Sequence, residues 1–157
     1  MATPAIRPFL LTAADGRPLA GEVRTAGGAR PTVVIGHHLP VLAERLARAG
    51  FTVVSWDATA PEADALGDLG VLLDALRSGA LGVAASGYGL LGQGAPGAVA
   101  LVRAAADERV RALVTWAVPA TALPPGATVR APWLTLDGAA DEGAVQATID
   151  WFARHLA

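Results

Sequence analysis

A strand that runs into a helix through little but glycine leaves the backbone few routes. In Tyr88-Gly89-Leu90-Leu91-Gly92-Gln93-Gly94-Ala95-Pro96-Gly97, followed by the alanine-rich run Ala98 to Ala106, an apolar start gives way to a glycine-dense turn. Tyr88 to Leu91 reads as a buried strand. Pro96, with its preset φ, suits the first turn of a helix running from Pro96 to Ala106. Glycines at 92, 94 and 97 between them mark a turn too tight for Cβ atoms. A helix that follows its strand this closely packs back on the sheet, as in a βα unit.

The rest of the chain repeats that alternation. Phe9 to Thr12 and Leu19 to Arg24 flank Asp15-Gly16, a hairpin signal, so an antiparallel pair is expected first. Thr32 to Ile35 and Thr52 to Trp56 are continuous apolar runs of the kind buried on both faces. Between them Val41, Leu42, Leu46 and Ala49 form the expected apolar helix face. Glu44 and Arg48 pair four apart on its polar side, and Gly50 is the stop. A second helix is expected from Glu62 to Arg77, with Leu66, Leu69, Leu73 and Leu76 at helical spacing. Strands follow at Val110 to Val118 and Trp133 to Leu136, joined by a proline-rich segment, Pro119 to Arg130, that reads as an ordered loop. The final helix runs from about Gly143 to Leu156, its stripe made of Val145, Ile149, Phe152 and Leu156.

Composition excludes several classes. At 157 residues and 53% hydrophobic, one domain spanning 1–157 can bury a core without disulfides or metal. A net charge of −2, with twelve cations that are all arginine and spread singly, gives no footprint for nucleic acid. The absence of cysteine removes thiolate chemistry. Met1 to Leu11 is interrupted by Pro4, Arg7 and Pro8, unlike a signal peptide, and no apolar run reaches membrane-spanning length. A soluble, cytoplasmic protein with no cofactor is expected.

Five phrases, in order, resemble the α/β-hydrolase family over nearly the whole chain. Pro31-Thr-Val-Val-Ile-Gly-His-His38 is similar to the strand that ends in the family's oxyanion loop. Leu42 to Asp57 resembles its first helix and next strand, and Gly89 to Leu101 its elbow and the helix behind. Val110 to Val114 and Ala131 to Asp141 resemble the two strands beyond, the second ending at the position of the catalytic acid. The dienelactone-hydrolase-like and small esterase branches are the nearest. The resemblance implies an α/β fold: a three-layer α/β/α sandwich in which an antiparallel pair precedes five parallel strands, lacking the cap and the last strand.

The same resemblance implies a G-x-S-x-G elbow, and here Gly94 stands where the serine belongs. In the family a histidine follows the acid on a loop after one more strand. Only Glu142 separates Asp141 from the helix expected at Gly143, and His155 lies near that helix's far end. Asp141 thus takes the acid position, with a helix N-cap as its general alternative. His37 and His38 begin the oxyanion loop, where a glycine is expected at 38. They could serve as base or metal ligands with Asp57 or Asp141, because strand C-termini converge on one edge. Adjacent residues on an extended segment point apart, so no metal site is assigned. Asp57 reads as a turn or cap residue, and Ser55, Ser78 and Ser86 as structural.

Gly92 to Gly97 is also formally G-x-G-x-x-G between strand and helix, which makes Gly92, Gly94 and Gly97 a weak anion or nucleotide site. Replacing the serine of an elbow by glycine generates this pattern on its own, and Val110 to Val118 offers no acid for a ribose. The resulting expectation is a hydrolase-like core without a serine triad, either a pseudo-hydrolase or an engineered, designed or minimised scaffold. A small carboxylic-ester hydrolase with a non-standard site is the alternative. Trp133 to Leu136 is expected at the sheet edge, guarded only by Pro132, and to pair with a second copy as a homodimer.

Overall fold

The computed structural model describes residues 3–37, 39–57, 62–137 and 141–156. The strands are β1 (Ala5–Thr12), β2 (Pro18–Thr25), β3 (Thr32–Ile35), β4 (Thr52–Trp56), β5 (Tyr88–Gln93), β6 (Val110–Trp116) and β7 (Trp133–Leu136). Helix α1 (Pro40–Arg48) lies between β3 and β4, α2 (Glu62–Ser78) between β4 and β5, and α3 (Ala95–Ala106) between β5 and β6; α4 (Glu142–Leu156) follows β7. The proline-rich segment after β6 holds one 3₁₀ turn, Ala120–Ala122, and a turn closed by Ala127 N–H on the Pro124 carbonyl.

The strands form one sheet in the order β1-β2-β4-β3-β5-β6-β7. β1 and β2 are antiparallel, as is β2 with β4, and β4-β3-β5-β6-β7 are mutually parallel. Alternation along the strands divides the core. Val34, Leu90 and Leu113 face α2 and α3, where Leu69, Leu73, Leu76, Val99 and Leu101 meet them. Val33, Ile35, Leu91 and Val114 face α1 and α4 on the other side. Each central strand is therefore apolar on both faces, which is why β3 and β4 read as unbroken apolar runs.

Several local expectations hold. Gly50 ends α1 at φ +107°, and Arg48 bonds Glu44 at 2.8 Å. The buried face of α1 keeps Leu42 and Leu46 of the expected stripe but not Val41 and Ala49. Leu42, Ala43, Leu46 and Ala47 are inside, whereas Val41 is 71% exposed and Ala49 is exposed. Small alanine side chains let this helix lie close to the sheet, so the more hydrophobic Val41 is left on the outer side.

Chain direction also locates the point where the strand order reverses. From β3 the chain crosses to β4 on one side, and its next strand, β5, lies on the other side of β3. In open parallel sheets ligands bind at the strand C-termini where the order reverses in this way. Here that point lies between the ends of β3 and β5.

Candidate functional site

The end of β3 leads into Gly36 and His37, and the end of β5 into Gln93 and Gly94. Gly36 N–H bonds the Leu91 carbonyl at 3.0 Å, Gly94 N–H the Trp116 carbonyl at 2.9 Å, and Ala117 N–H the Leu136 carbonyl at 2.9 Å. These bonds hold the four strand ends in one row. Gly94 has φ +62° and ψ −132°, a conformation that L side chains rarely adopt and that a sharp strand-to-helix turn demands.

The three glycines of the turn are not equivalent. A Cβ on Gly92 would lie 2.5 Å from the Gly97 nitrogen, and one on Gly97 would run into Val118 and lie 2.7 Å from the Gly92 carbonyl oxygen. Those two are glycine so that β5 and α3 can touch. A Cβ on Gly94 would meet nothing within 4 Å. The position that the hydrolase resemblance gives to the nucleophile therefore points into open space.

His37 is half-buried beside this turn, and its Nδ1 is buried without a partner. Burial pulls its pKa below the usual histidine value, against the opposing effect of the neighbouring Gln93 side chain. The imidazole is consequently neutral at pH 7. His38 lies outside the described residues. Gln93 sits next to Gly94 on the turn and was not singled out by sequence; its position between Gly92 and Gly94 was the available signal.

His37 Nδ1 makes no hydrogen bond with an acid among the described residues. Asp141 caps α4, its Oδ1 accepting Ala144 N–H at 2.8 Å and its carbonyl accepting Val145 N–H at 3.0 Å. Asp57 is exposed at the end of β4, beside a cavity of about 310 Å³ that also touches Pro8, Gly21, Glu22 and Ser55. His155 occupies the last turn of α4, with its ring 4.4 Å from that of Trp151. Trp151 Nε1 donates to the Pro132 carbonyl at the start of β7, so His155 belongs to the opposite end of the sheet from Gly94. Among the described residues no group of three His, Asp or Glu side chains could hold a metal ion.

Two further features of the strand ends escaped sequence reasoning. Trp116 is fully buried with its indole N–H unpartnered, and Ala117 after it takes φ +54°, the one non-glycine residue with positive φ among those described. Backbone strain of this kind collects at functional edges. The space beneath the turn, between Gly36, Leu91 and Pro96, is only about 10 Å³, at the limit for one water. A wide cavity of about 840 Å³ lies instead at the N-terminal ends of β6 and β7, lined by Asp107, Arg111 and Arg130 among others. It lies at the wrong edge for chemistry at Gly94.

No protein-family model and no curated protein sequence matches the chain. Solved structures are similar in fold. A cold-adapted esterase from an Arctic intertidal metagenomic library, in its native form, superposes with a TM-score of 0.75 at 15% identity, over 100% of this chain and 96% of that one. Brefeldin A esterase, a bacterial homologue of human hormone-sensitive lipase, gives 0.61 at 16% identity, over 74% of this chain and 40% of that one. A hypothetical protein from Pseudomonas aeruginosa gives 0.61 at 23% identity, over 74% and 43%. The chain spans less than half the length of the last two. Strand order, the conformation at Gly94 and these superpositions agree: the chain has the α/β-hydrolase fold.

Proposed function

We propose that this chain is an α/β-hydrolase-type core without serine-hydrolase catalysis, a pseudo-hydrolase or a designed or minimised scaffold. The observation that carries the reading is Gly94, which holds the backbone of an elbow, at φ +62°, and has no atom to attack with. A nucleophilic hydroxyl also needs a base within hydrogen-bond reach and an acid behind that base. His37 is near the turn, but Asp141 spends its carboxylate on the cap of α4 and His155 lies at the far end of the sheet. Each face of the sheet nevertheless buries an apolar cluster, as expected where folding rather than turnover shapes the sequence. Treatment with a fluorophosphonate probe should leave the protein unlabelled. Stoichiometric labelling at Ser86 or any other serine would overturn the reading.

A second reading rests on His37 alone. The half-buried, neutral imidazole of His37 stands at the reversal point of the sheet, where it could take a proton from water attacking an ester, and two of the superposed structures are esterases. Turnover of short p-nitrophenyl esters that disappears in His37→Gln would support it. Hydrolysis no faster than that by an equal concentration of free imidazole would rule it out.

A further inference from the structure

We propose that the outer side of β7 is an interaction surface for a second copy of this chain, paired antiparallel about a two-fold axis. β7 stands at the end of the sheet order. Leu113 N–H bonds the Pro132 carbonyl at 2.9 Å, and Ala117 N–H bonds that of Leu136 at 2.9 Å. With Leu113 opposite Trp133 and Thr115 opposite Thr135, residues 132, 134 and 136 turn their main-chain groups toward β6. Trp133 and Thr135 turn theirs outward. Pro132 lacks its N–H on the inner side, so it does not guard the edge as its position in the sequence suggests.

The outward groups are self-complementary. Antiparallel pairing of Trp133 with the partner's Thr135 lets the two residues exchange both main-chain hydrogen bonds, and the two-fold repeats the exchange. Charge favours the same direction. The segment is basic at its start, with exposed Arg130, and acidic at its end, with exposed Asp137. An antiparallel copy brings the basic start of each segment to the acidic end of the other, with Arg130 one residue from the position opposite the partner's Asp137, whereas a parallel copy would align like charges. Indoles flank the edge on both faces, Trp133 tied to Thr115 Oγ1 at 2.9 Å and Trp151 to the Pro132 carbonyl at 3.4 Å. The other edge of the sheet, β1, is interrupted at its middle by Pro8 and carries Arg7.

A four-residue edge makes a weak dimer, so sedimentation velocity should show the mass rising toward twice that of the chain between roughly 10 µM and 1 mM. Thr135→Pro removes an outward donor without touching the bonds to β6, and should sediment as a folded monomer throughout. Arg130→Glu, which turns two attractions into repulsions, should weaken the dimer roughly fivefold, and adding Asp137→Arg should restore it. In the unmodified chain, amide exchange at Thr135 should slow with concentration while that at Leu134, already bonded to β6, stays constant. A chain that remains monomeric at about 1 mM, a dimer indifferent to Thr135→Pro, or exchange at Thr135 independent of concentration would each overturn the proposal.

Discussion

Gly92 and Gly97 meet backbone to backbone, so that a Cβ on Gly92 would sit 2.5 Å from the Gly97 nitrogen and 2.6 Å from its Cα. Neither atom can move without lifting α3 from β5. Gly92→Ala should therefore cost upwards of about 3 kcal/mol, the upper range for overpacking a core. Gly94→Ala meets no atom and pays only for its positive φ, about 1–3 kcal/mol. Urea midpoints should rank Gly94→Ala as the milder change; the reverse order would mean that the turn is not packed as described.

Gly94→Ser should fit and yet gain little activity. A hydroxyl without its base forgoes roughly 10²- to 10⁴-fold in rate. His37 is the one described histidine near the turn, and burial keeps its pKa below 6.5. Residual ester hydrolysis by the variant should therefore be flat above about pH 6.5 and fall only in more acid solution, as the imidazole protonates. It should vanish on adding His37→Gln. Activity that survives that second change would place the base elsewhere.

Ala117 sits at φ +54° between the Trp116 carbonyl that holds Gly94 and the start of the proline-rich segment. A non-glycine residue in the left-handed region is strained by about 1–2 kcal/mol, part of which glycine loses again through its freer unfolded chain. Ala117→Gly should raise stability by up to about 1 kcal/mol. A lower melting temperature in calorimetry would show that the alanine is not strained there.

Much of the architecture is local and could be read locally. The glycine turn, the hairpin at Asp15-Gly16, the cap at Asp141 and the Glu44–Arg48 pair each lie within a few residues of chain. What escaped depends on pairing between distant segments. Which side of β7 lacks a donor at Pro132 follows from the phase of its ladder with β6, and that phase is not written in β7 itself. Arg17 reaches Asp68 at 3.1 Å across 51 positions, because the hairpin folds over α2. The site shows the same limit. Gly94 announces itself by its motif, but Gln93 becomes a neighbour of His37 only because β5 lies beside β3.

Tyr88 and Asp107 form a buried pair of the same long-range kind, and it should shape stability at both ends of the pH scale. The Tyr88 hydroxyl donates to Asp107 Oδ2 at 2.6 Å, Arg103 Nε to the same oxygen at 3.0 Å, and Arg109 N–H to Oδ1 at 2.9 Å. Burial, then the carboxylate, push the phenol pKa well above its usual value. For Asp107, burial pushes the pKa up, but the Tyr88 and Arg109 hydrogen bonds and the Arg103 charge outweigh it and hold the carboxyl below its usual value. The Asp107 contribution is thus present above about pH 4 and lost as pH falls through the lowered folded value. That of Tyr88 is present below about pH 10 and lost as pH rises toward the raised one. Tyr88→Phe should cost about 1–3 kcal/mol at pH 7 by leaving a buried carboxylate one donor short. It should also flatten the alkaline decline and move the acid limb to higher pH. Urea midpoints from pH 3 to 11 test all three together. A variant as stable as the parent at pH 7, with the same alkaline decline, would mean that the Tyr88 hydroxyl contributes nothing to holding β5 against the turn before β6.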